Sequence, residues 1–265
     1  MTNKQLMQST NSVLAILLCG LMCSLPLGAQ NDEKPTLHQE LTNHVVSALL
    51  EDDAFSKTEF SGKMRDRRQD FAERDEQFEF TDTVTGRFYD SDRKQDLLVF
   101  CGTLPVSWEH LLAVFVDQKN GLKLLDAETF HAKIGYSVSF RDIIGSNTKE
   151  IVFVQHQHAG TGIWRETTSI WSLMNDDLTN IFQIQSNRQH SVQRTRTWVF
   201  QTIQYPHVSR RNGTITVVRT EKQMKRTDGE VKTIDETITR KDYTWSKQKK
   251  RFVPAEKQAS DEASD

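Results

Sequence analysis

The chain has 265 residues, of which 36% are hydrophobic and 26% are charged, and its formal net charge at pH 7 is −2. This composition excludes a disordered chain and a protein embedded in a membrane along most of its length. One globular unit with a sizeable core is therefore the default expectation.

Residues 1–29 have the three parts of a secretory signal. A polar start carrying only Lys4 is followed by the apolar run SVLAILLCGLMCSLPLG, and Ala29 then precedes the polar residues QNDEKP. Gly20 and Pro26 interrupt the apolar run, which is short for a bilayer span. We expect cleavage after Ala29, export to the periplasm or the extracellular space, and no membrane span in the mature chain. A retained membrane anchor is the alternative.

Cysteine usage fits an exported chain. Cys19 and Cys23 lie in the predicted signal, so the mature chain keeps only Cys101, which has no partner for an internal disulfide. Cys101 ends the apolar stretch LLVFC, and we interpret it as a buried small hydrophobic residue rather than a nucleophile.

The charge is unevenly distributed along the chain. Residues 32–117 carry 19 acidic and 10 basic side chains, whereas residues 188–251 carry 6 acidic and 16 basic ones. A basic surface for nucleic acid, for an acidic glycan or for a lipid headgroup is one interpretation. Long strands with solvated faces are the other, and we favour it because no aromatic residues are interleaved as stacking platforms. No nucleic-acid partner is therefore expected.

Residues 30–77 are predicted to hold an N-terminal helix and a charged linker. Leu37, Leu41, Val45 and Leu49 recur at helical spacing, and Thr36 with Gln39 forms a capping-box pattern before them. The charge-dense segment SKTEFSGKMRDRRQDFAERDEQ follows, and it is either a second helix or a linker.

Residues 78–254 are predicted to form a β-rich domain, with a disordered tail at 255–265. Asn120-Gly121, Asn212-Gly213 and Asp228-Gly229 each separate two strand-like stretches, and such pairs favour two-residue hairpin turns in which both residues have positive φ. The C-terminal hairpins alternate Val, Ile and Thr with charged residues, which is typical of a half-exposed antiparallel sheet.

A weak internal repeat connects two units, at about 87–140 and 141–187. The stretch DLLVF from Asp96 is matched by EIVFV from Glu150, and AVFVDQKNGLKLL from Ala113 is matched by SIWSLMNDDLTNIF from Ser169. The predicted fold is therefore mainly β, with antiparallel blade-like sheets and a short N-terminal helix. It is either a partial or small irregular β-propeller or an open two-layer β-structure.

The residues that precede these strands carry a family resemblance. RFYDSDRKQDLLVF resembles a degenerate form of the calcium-loop stretch of FG-GAP and VCBS repeats, the blades of integrin-like β-propellers, and FRDIIGSNTKEIVFV resembles a second copy. In that family, alternate acidic loop positions bind calcium before a strand enters the blade. The resemblance implies six loop positions here: Asp90, Asp92 and Asp96, then Asp142, Ser146 and Glu150.

Neither loop is expected to hold calcium. Calcium takes six to eight oxygen ligands, and its loops need a glycine for the sharp turn. Ser91 and Arg93 stand where the family has glycine, Lys94 adds a positive charge, and Ile144 occupies a ligand position in the second loop. We interpret both loops as structural turns whose carboxylates bond backbone amides.

The stretch VQHQHAGTG is the other candidate site. His156 and His158 are two residues apart, so on a strand they point to the same face, where paired imidazoles can bind zinc or copper. A pair of surface histidines is the alternative, since a closed metal site needs more ligands.

No catalytic motif is recognisable, and no cofactor is predicted. We expect an exported, non-catalytic binding or scaffold protein whose loops contact a protein or a glycan. The alternative is a secreted metal-dependent hydrolase that uses His156 and His158. Four tryptophans are expected to pack in the core rather than to stack on sugar: Trp164, Trp171, Trp198 and Trp245.

Overall fold

The computed structural model describes residues 37–90, 94–105, 107–131, 135–145, 149–159, 163–192, 195–204 and 213–255. The predicted signal at 1–29 and nearly all of the predicted tail lie outside these ranges. Of strand residues 195–204 only the backbone is described.

Two helices begin the described chain. Helix α1 spans Leu37–Glu51, and a 3-10 turn at Phe55–Lys57 leads to α2 at Glu59–Glu73. The hydroxyl of Thr58 accepts the backbone N–H of Ser61 at 3.1 Å and so caps α2. The charge-dense segment is thus a helix rather than a linker, and Met64 anchors it because its side chain is fully buried.

In the described part of the chain, twelve antiparallel strands follow the helices and form two sheets in chain order. The first sheet contains β1 Thr81–Asp90, β2 Gln95–Thr103, β3 Glu109–Gln118 and β4 Gly121–His131. The second sheet contains eight strands: β5 Gly135–Arg141, β6 Glu150–Ala159, β7 Ile163–Met174, β8 Asp177–Val192, β9 Thr195–Gln204, β10 Thr214–Thr227, β11 Glu230–Ser246 and β12 Arg251–Pro254. The predicted mainly β, antiparallel class is confirmed.

Three apolar clusters hold the layers together. The helices pack on one face of the first sheet, through residues such as Leu49 and Phe100. The other face of that sheet packs on the second sheet, where Val99 and Phe153 belong to one cluster. Because strands β2 and β3 are covered on both faces, their sequences are nearly continuous apolar runs rather than alternating ones.

The second sheet also packs against itself. Val152 and Ile170 of its first strands share a cluster with Ile215 of β10 and Phe252 of β12. The beginning of β10 and the end of β11 therefore lie over β6 to β8, which gives an open layered structure. Of the two predicted architectures, this is the open one.

The two predicted repeat units occupy equivalent places in the strand order. Asp96 is the second residue of β2 and Glu150 is the first residue of β6. Each of these strands is second in chain order within its sheet, of four strands in the first and eight in the second. Leu97 and Ile151, the next residues, enter the same cluster between the sheets. The common origin of the two units stays a prediction.

The three predicted hairpin turns have different outcomes. Asp228 and Gly229 have φ of 54° and 85° and join β10 to β11 as predicted. The β3–β4 hairpin exists, but Gln118 pairs with Gly121, so its turn lies one residue earlier and of the predicted pair only Gly121 has positive φ.

The prediction of a two-residue turn at Asn212-Gly213 is wrong. Such a turn would place Thr216 opposite Ser209, whereas Thr216 pairs with Gln204, so a longer connection joins β9 to β10. Asn212 itself lies outside the described residues.

Candidate functional site

The loop between β5 and β6 is organised by two of the predicted calcium-type positions. The carboxylate of Glu150 accepts the backbone N–H of Ile143 at 2.6 Å and of Ile144 at 3.2 Å. Asp142 accepts the N–H of Gly145 at 2.8 Å, as Asp commonly does in turns. Both carboxylates therefore bond amides of their own loop. Ser146 lies outside the described residues.

Glu150 is the most perturbed carboxyl group of this loop. Its side chain is fully buried, and burial raises the pKa of Glu150 from 4.5 to about 7. The two amide hydrogen bonds act in the opposite direction, and the charge of Asp142 raises the pKa further. Oε1 of Glu150 is buried without a hydrogen-bond partner among the described residues.

The first calcium-type loop is less completely described. Asp90 is the last residue of β1, Asp92 lies outside the described residues, and Asp96 is exposed on β2. The positions that the resemblance makes equivalent, Asp96 and Glu150, therefore differ in burial. Nothing in the described part of this loop tests calcium binding.

His156 and His158 lie on one strand, β6, as predicted, and their neighbours come from β7 and β8. Nδ1 of His156 lies 3.5 Å from a carboxylate oxygen of Glu166, its cross-strand partner. The ring of His156 stacks on Trp164 with centroids 6.0 Å apart. His158 is exposed opposite Trp164.

The order of groups around His156 does not suit nucleophilic catalysis. The hydroxyl of Ser186 donates to Glu166 at 2.7 Å, and Glu166 is in turn next to His156. In a catalytic triad the imidazole stands between the hydroxyl and the carboxylate, so that it can take the hydroxyl proton. Here the carboxylate stands in the middle, and His156 has no such access to Ser186.

No metal set is assembled among the described residues. Within that part of the chain, no group of three or more His, Cys, Asp or Glu side chains lies close enough to hold a metal ion. His156 and His158 therefore lack a third ligand there, and a structural zinc site usually needs four.

A shallow cleft of about 220 Å³ lies between α2 and the first sheet. Lys63 contacts Glu109 at 2.5 Å and Glu59 at 3.0 Å, and these hydrogen bonds raise the pKa of Lys63. Close by, Trp108 is 54% exposed and meets His131 edge to face. Trp108 lies in the connection between β2 and β3, outside the strands in which the four tryptophans expected in the core were placed.

Cys101 is buried between the sheets, as predicted. Burial raises the pKa of its thiol to about 12, so the reactive thiolate is absent near neutral pH. Tyr136 donates its hydroxyl proton to the carbonyl oxygens of Cys101 and Asp82, and its own pKa is raised by burial. This pair joins β5 to the first sheet and is structural.

The hairpin of β10 and β11 extends beyond the core as an exposed arm, defined here as residues 219–240. No side chain of the arm is buried, although the preceding residues Ile215 and Val217 are core residues. Val231, Ile234 and Ile238 are 51%, 56% and 65% exposed. β9 pairs with β10 over Thr216–Lys225, so one long edge of the arm is covered along that stretch.

The outer edge of the arm is uncovered along most of its length. β12 pairs with β11 only from Tyr243 to Ser246. The N–H of Ala255 donates to the carbonyl oxygen of Asp242 at 2.8 Å, and among the described residues no backbone pairs with the outer edge of β11 from Glu230 to Lys241. The alternation of Val, Ile and Thr with charged residues predicted long strands with a solvated face here. It did not predict that both faces and the outer edge of β11 are exposed in the arm.

No family model and no curated protein matches this chain. The two α-helices that the structure describes have neither the length nor the apolar character of a membrane-spanning helix.

Proposed function

We propose that this protein is an exported, non-catalytic binding or scaffold protein, built on degenerate FG-GAP/VCBS-like units, and that the arm is its contact surface. The observation that carries the proposal is the exposure of the arm on both faces, with three large aliphatic side chains in water. Contiguous exposed apolar surface commonly marks interaction sites, and all three side chains lie within eight residues of β11.

The arm contributes little to the stability of the core. None of its side chains is buried, and the core contacts of β10 end at Val217. Because apolar burial is the main favourable term in folding, a hairpin without a fully buried side chain gains little of that term unless it contacts a partner. The length of the arm is therefore better explained by binding than by folding.

A protein partner suits the arm better than a glycan. An exposed strand edge recognises another strand through backbone hydrogen bonds, with side chains that set specificity. Sugar stacking requires exposed aromatic rings on one face. The arm contains no aromatic residue, and the exposed Trp108 lies elsewhere, in the connection between β2 and β3.

The metal-dependent hydrolase receives no comparable support. His156 and His158 share a strand, but the described residues supply no third ligand for them. The nearby hydroxyl of Ser186 donates to Glu166 rather than to His156. The binding role is therefore the function that we put forward.

Cross-linking in the producing cell tests the role of the arm. A photo-reactive residue replaces Val231 on the arm or, as the matched control, Val84 on β1, which is also exposed. We expect covalent adducts of defined mass from position 231 and none from position 84. The proposal fails if position 231 gives no adduct, or if both positions give the same adducts.

A further inference from the structure

We propose that Arg165 and Arg188 bind a doubly charged tetrahedral oxyanion, namely phosphate, sulfate or the phosphate group of a larger ligand. The two arginines stand directly opposite each other on β7 and β8 of the second sheet. The site lies outside the arm, so this inference goes beyond the proposed function and does not depend on it.

The strand register brings the two positive charges together. Side chains directly opposite each other in an antiparallel pair point to the same face and have Cβ atoms about 4.5–5.5 Å apart. Arginine stays protonated at every physiological pH, so both guanidinium groups are charged. Like charges in this arrangement are destabilising, and a bound anion would remove the repulsion.

No carboxylate neutralises the pair in the described part of the chain. Neither Arg165 nor Arg188 forms an ion pair with a described residue, whereas Arg87, Arg219 and Arg240 each contact a carboxylate. Three other strand arginines are thus paired within the chain, and the two that stand opposite each other are not.

The face that carries the pair also lacks acidic side chains around it. Glu166 follows Arg165 in the chain but points to the opposite face, where it contacts His156. The anion site and the histidine pair therefore occupy different faces of the sheet. On the face of the arginines, the neighbours within β6 to β8 whose side chains are described are uncharged: Gln155, Gln157, Ile163, Thr167 and Gln185.

Arg165 has hydrogen-bonding capacity that the described chain does not use. Its Nε atom is buried and has no hydrogen-bond partner among the described residues. Buried polar groups are nearly always hydrogen-bonded, and an unsatisfied charged donor is costly. This observation is independent of the charge argument and points to the same kind of group, an acceptor with negative charge.

The donors of the site favour a dianion with several oxygens. Each guanidinium group supplies a positive charge and a fork of N–H donors that suits phosphate oxygens. A single carboxylate would leave one of the two charges unbalanced. Gln157, opposite Arg165, adds an amide group, which donates to the carbonyl oxygen of His131 at 3.3 Å and is held beside the pair.

The site is accessible and firmly supported. Arg188 is exposed and Arg165 is half-buried, so an anion can reach the pair from solvent. β7 and β8 are interior strands of the second sheet, with β6 and β9 paired on either side. Binding groups on interior strands are held more accurately than groups on loops.

Isothermal titration calorimetry with sodium phosphate tests the site, at an ionic strength kept constant with sodium chloride. We expect saturable binding of one phosphate per chain. The dissociation constant should rise about tenfold or more in Arg165→Gln and in Arg188→Gln, because each change removes charge-assisted hydrogen bonds. Arg226→Gln is the matched control, since it removes the same charge beside the turn at the tip of the arm. It should bind phosphate within about twofold of the wild type, because exposed charges beyond a Debye length are screened.

Thermal unfolding gives a second readout, with opposite signs in two conditions. In a phosphate-free buffer of low ionic strength, Arg188→Gln should unfold at a higher temperature than the wild type, because the repulsion is gone. Added phosphate should raise the midpoint of the wild type, since it binds the folded chain, and leave that of the variant nearly unchanged. Circular dichroism verifies that each variant folds.

Larger probes identify the source of the anion, and each of three outcomes supports the site. Glucose 6-phosphate that binds more tightly than inorganic phosphate indicates a soluble phosphate ester. Sedimentation with vesicles that contain phosphatidic acid, lost in Arg165→Gln, indicates a lipid headgroup. Binding of inorganic phosphate alone indicates the free ion.

The inference is overturned if neither phosphate nor sulfate binds saturably at constant ionic strength, or if both arginine variants bind phosphate as the wild type does. An Arg188→Gln variant whose midpoint rises with phosphate as much as that of the wild type also overturns it. Photo-adducts from position 231 do not involve this site, so the arm and the anion site can fail separately.

Discussion

Glu150 holds the backbone N–H of Ile143 at 2.6 Å from one side, and Gly213 approaches the carbonyl of the same residue from the other. A Cβ atom at position 213 would overlap the Ile143 carbonyl oxygen. Ile143 itself is buried in the cluster that joins β6 to β10 and β12. The β5–β6 loop is thus fixed by a carboxylate and by a glycine that is distant in sequence.

The buried carboxyl group should make stability depend on pH. Because the pKa of Glu150 is about 7 in the folded chain against 4.5 in the reference state, its protonated form favours folding. Its contribution is fully present below pH 4.5 and is lost as the pH rises to 7, by about 3 kcal/mol at most. We expect Glu150→Gln to remove this dependence, as measured by urea unfolding from pH 4 to pH 8.

Asp96→Asn is the control for that experiment, since Asp96 is exposed at the equivalent strand position. The unfolding free energy of this variant should vary with pH in the same way as that of the wild type. If the unfolding free energies of Glu150→Gln and the wild type vary with pH in the same way, Glu150 is not the group responsible for the pH dependence.

Two glycines should respond oppositely to substitution by alanine. Gly213→Ala should destabilise by about 2 kcal/mol or more, because the new methyl group meets backbone rather than a movable side chain. Gly62→Ala should stabilise by about 0.5–1 kcal/mol, because Gly62 lies inside α2 with open space at its Cβ. Thermal and urea unfolding measure both, and equal effects would show that β10 does not approach Ile143.

Substitution of Met64 should show whether α2 is part of the core. Met64→Ala leaves a cavity between the helices and the first sheet, and we expect a loss of about 2–5 kcal/mol in unfolding free energy. Arg68→Ala, on the exposed face of the same helix, should change it by less than about 0.5 kcal/mol. Equal losses would indicate that α2 does not pack as described.

The exported form should begin at Gln30. This follows from the position of Ala29 after the apolar run, the usual place of a small residue before a signal cleavage site. N-terminal sequencing of protein recovered outside the cytoplasm tests it. An N-terminus at Met1 in that fraction would instead support the retained anchor.

A metal assay should distinguish the proposed binding role from the alternative hydrolase. We expect the purified protein to carry no stoichiometric zinc or copper, and a double His156→Ala, His158→Ala variant to keep its fold. Elemental analysis and circular dichroism are the measurements. A stoichiometric metal that disappears in the double variant, together with a hydrolytic activity, would favour the hydrolase.

Local features followed from the sequence. The spacing of Val45 and Leu49 predicted the buried face of α1, and both side chains are fully buried. Asp228-Gly229 predicted its own turn, because positive φ at two successive positions is a local requirement. The apolar residues that begin at Leu97 likewise predicted a buried strand.

Features that depend on residues distant in the chain could not be predicted from the sequence. Gly213 was assigned to a tight turn, whereas the structure accounts for it by the contact with Ile143 and not by positive φ. Asp96 and Glu150 look equivalent in sequence, yet only Glu150 is buried, within a loop that the C-terminal strands approach at Gly213.

The sequence by itself determined the strand-rich class, the helix α1 and the turn at Asp228-Gly229, because periodicity and turn chemistry act over a few residues. Only the tertiary structure decided which carboxylate is buried, where the arm leaves the core and which edge stays open. These properties depend on which segments far apart in the chain cover one another, and no local pattern records that.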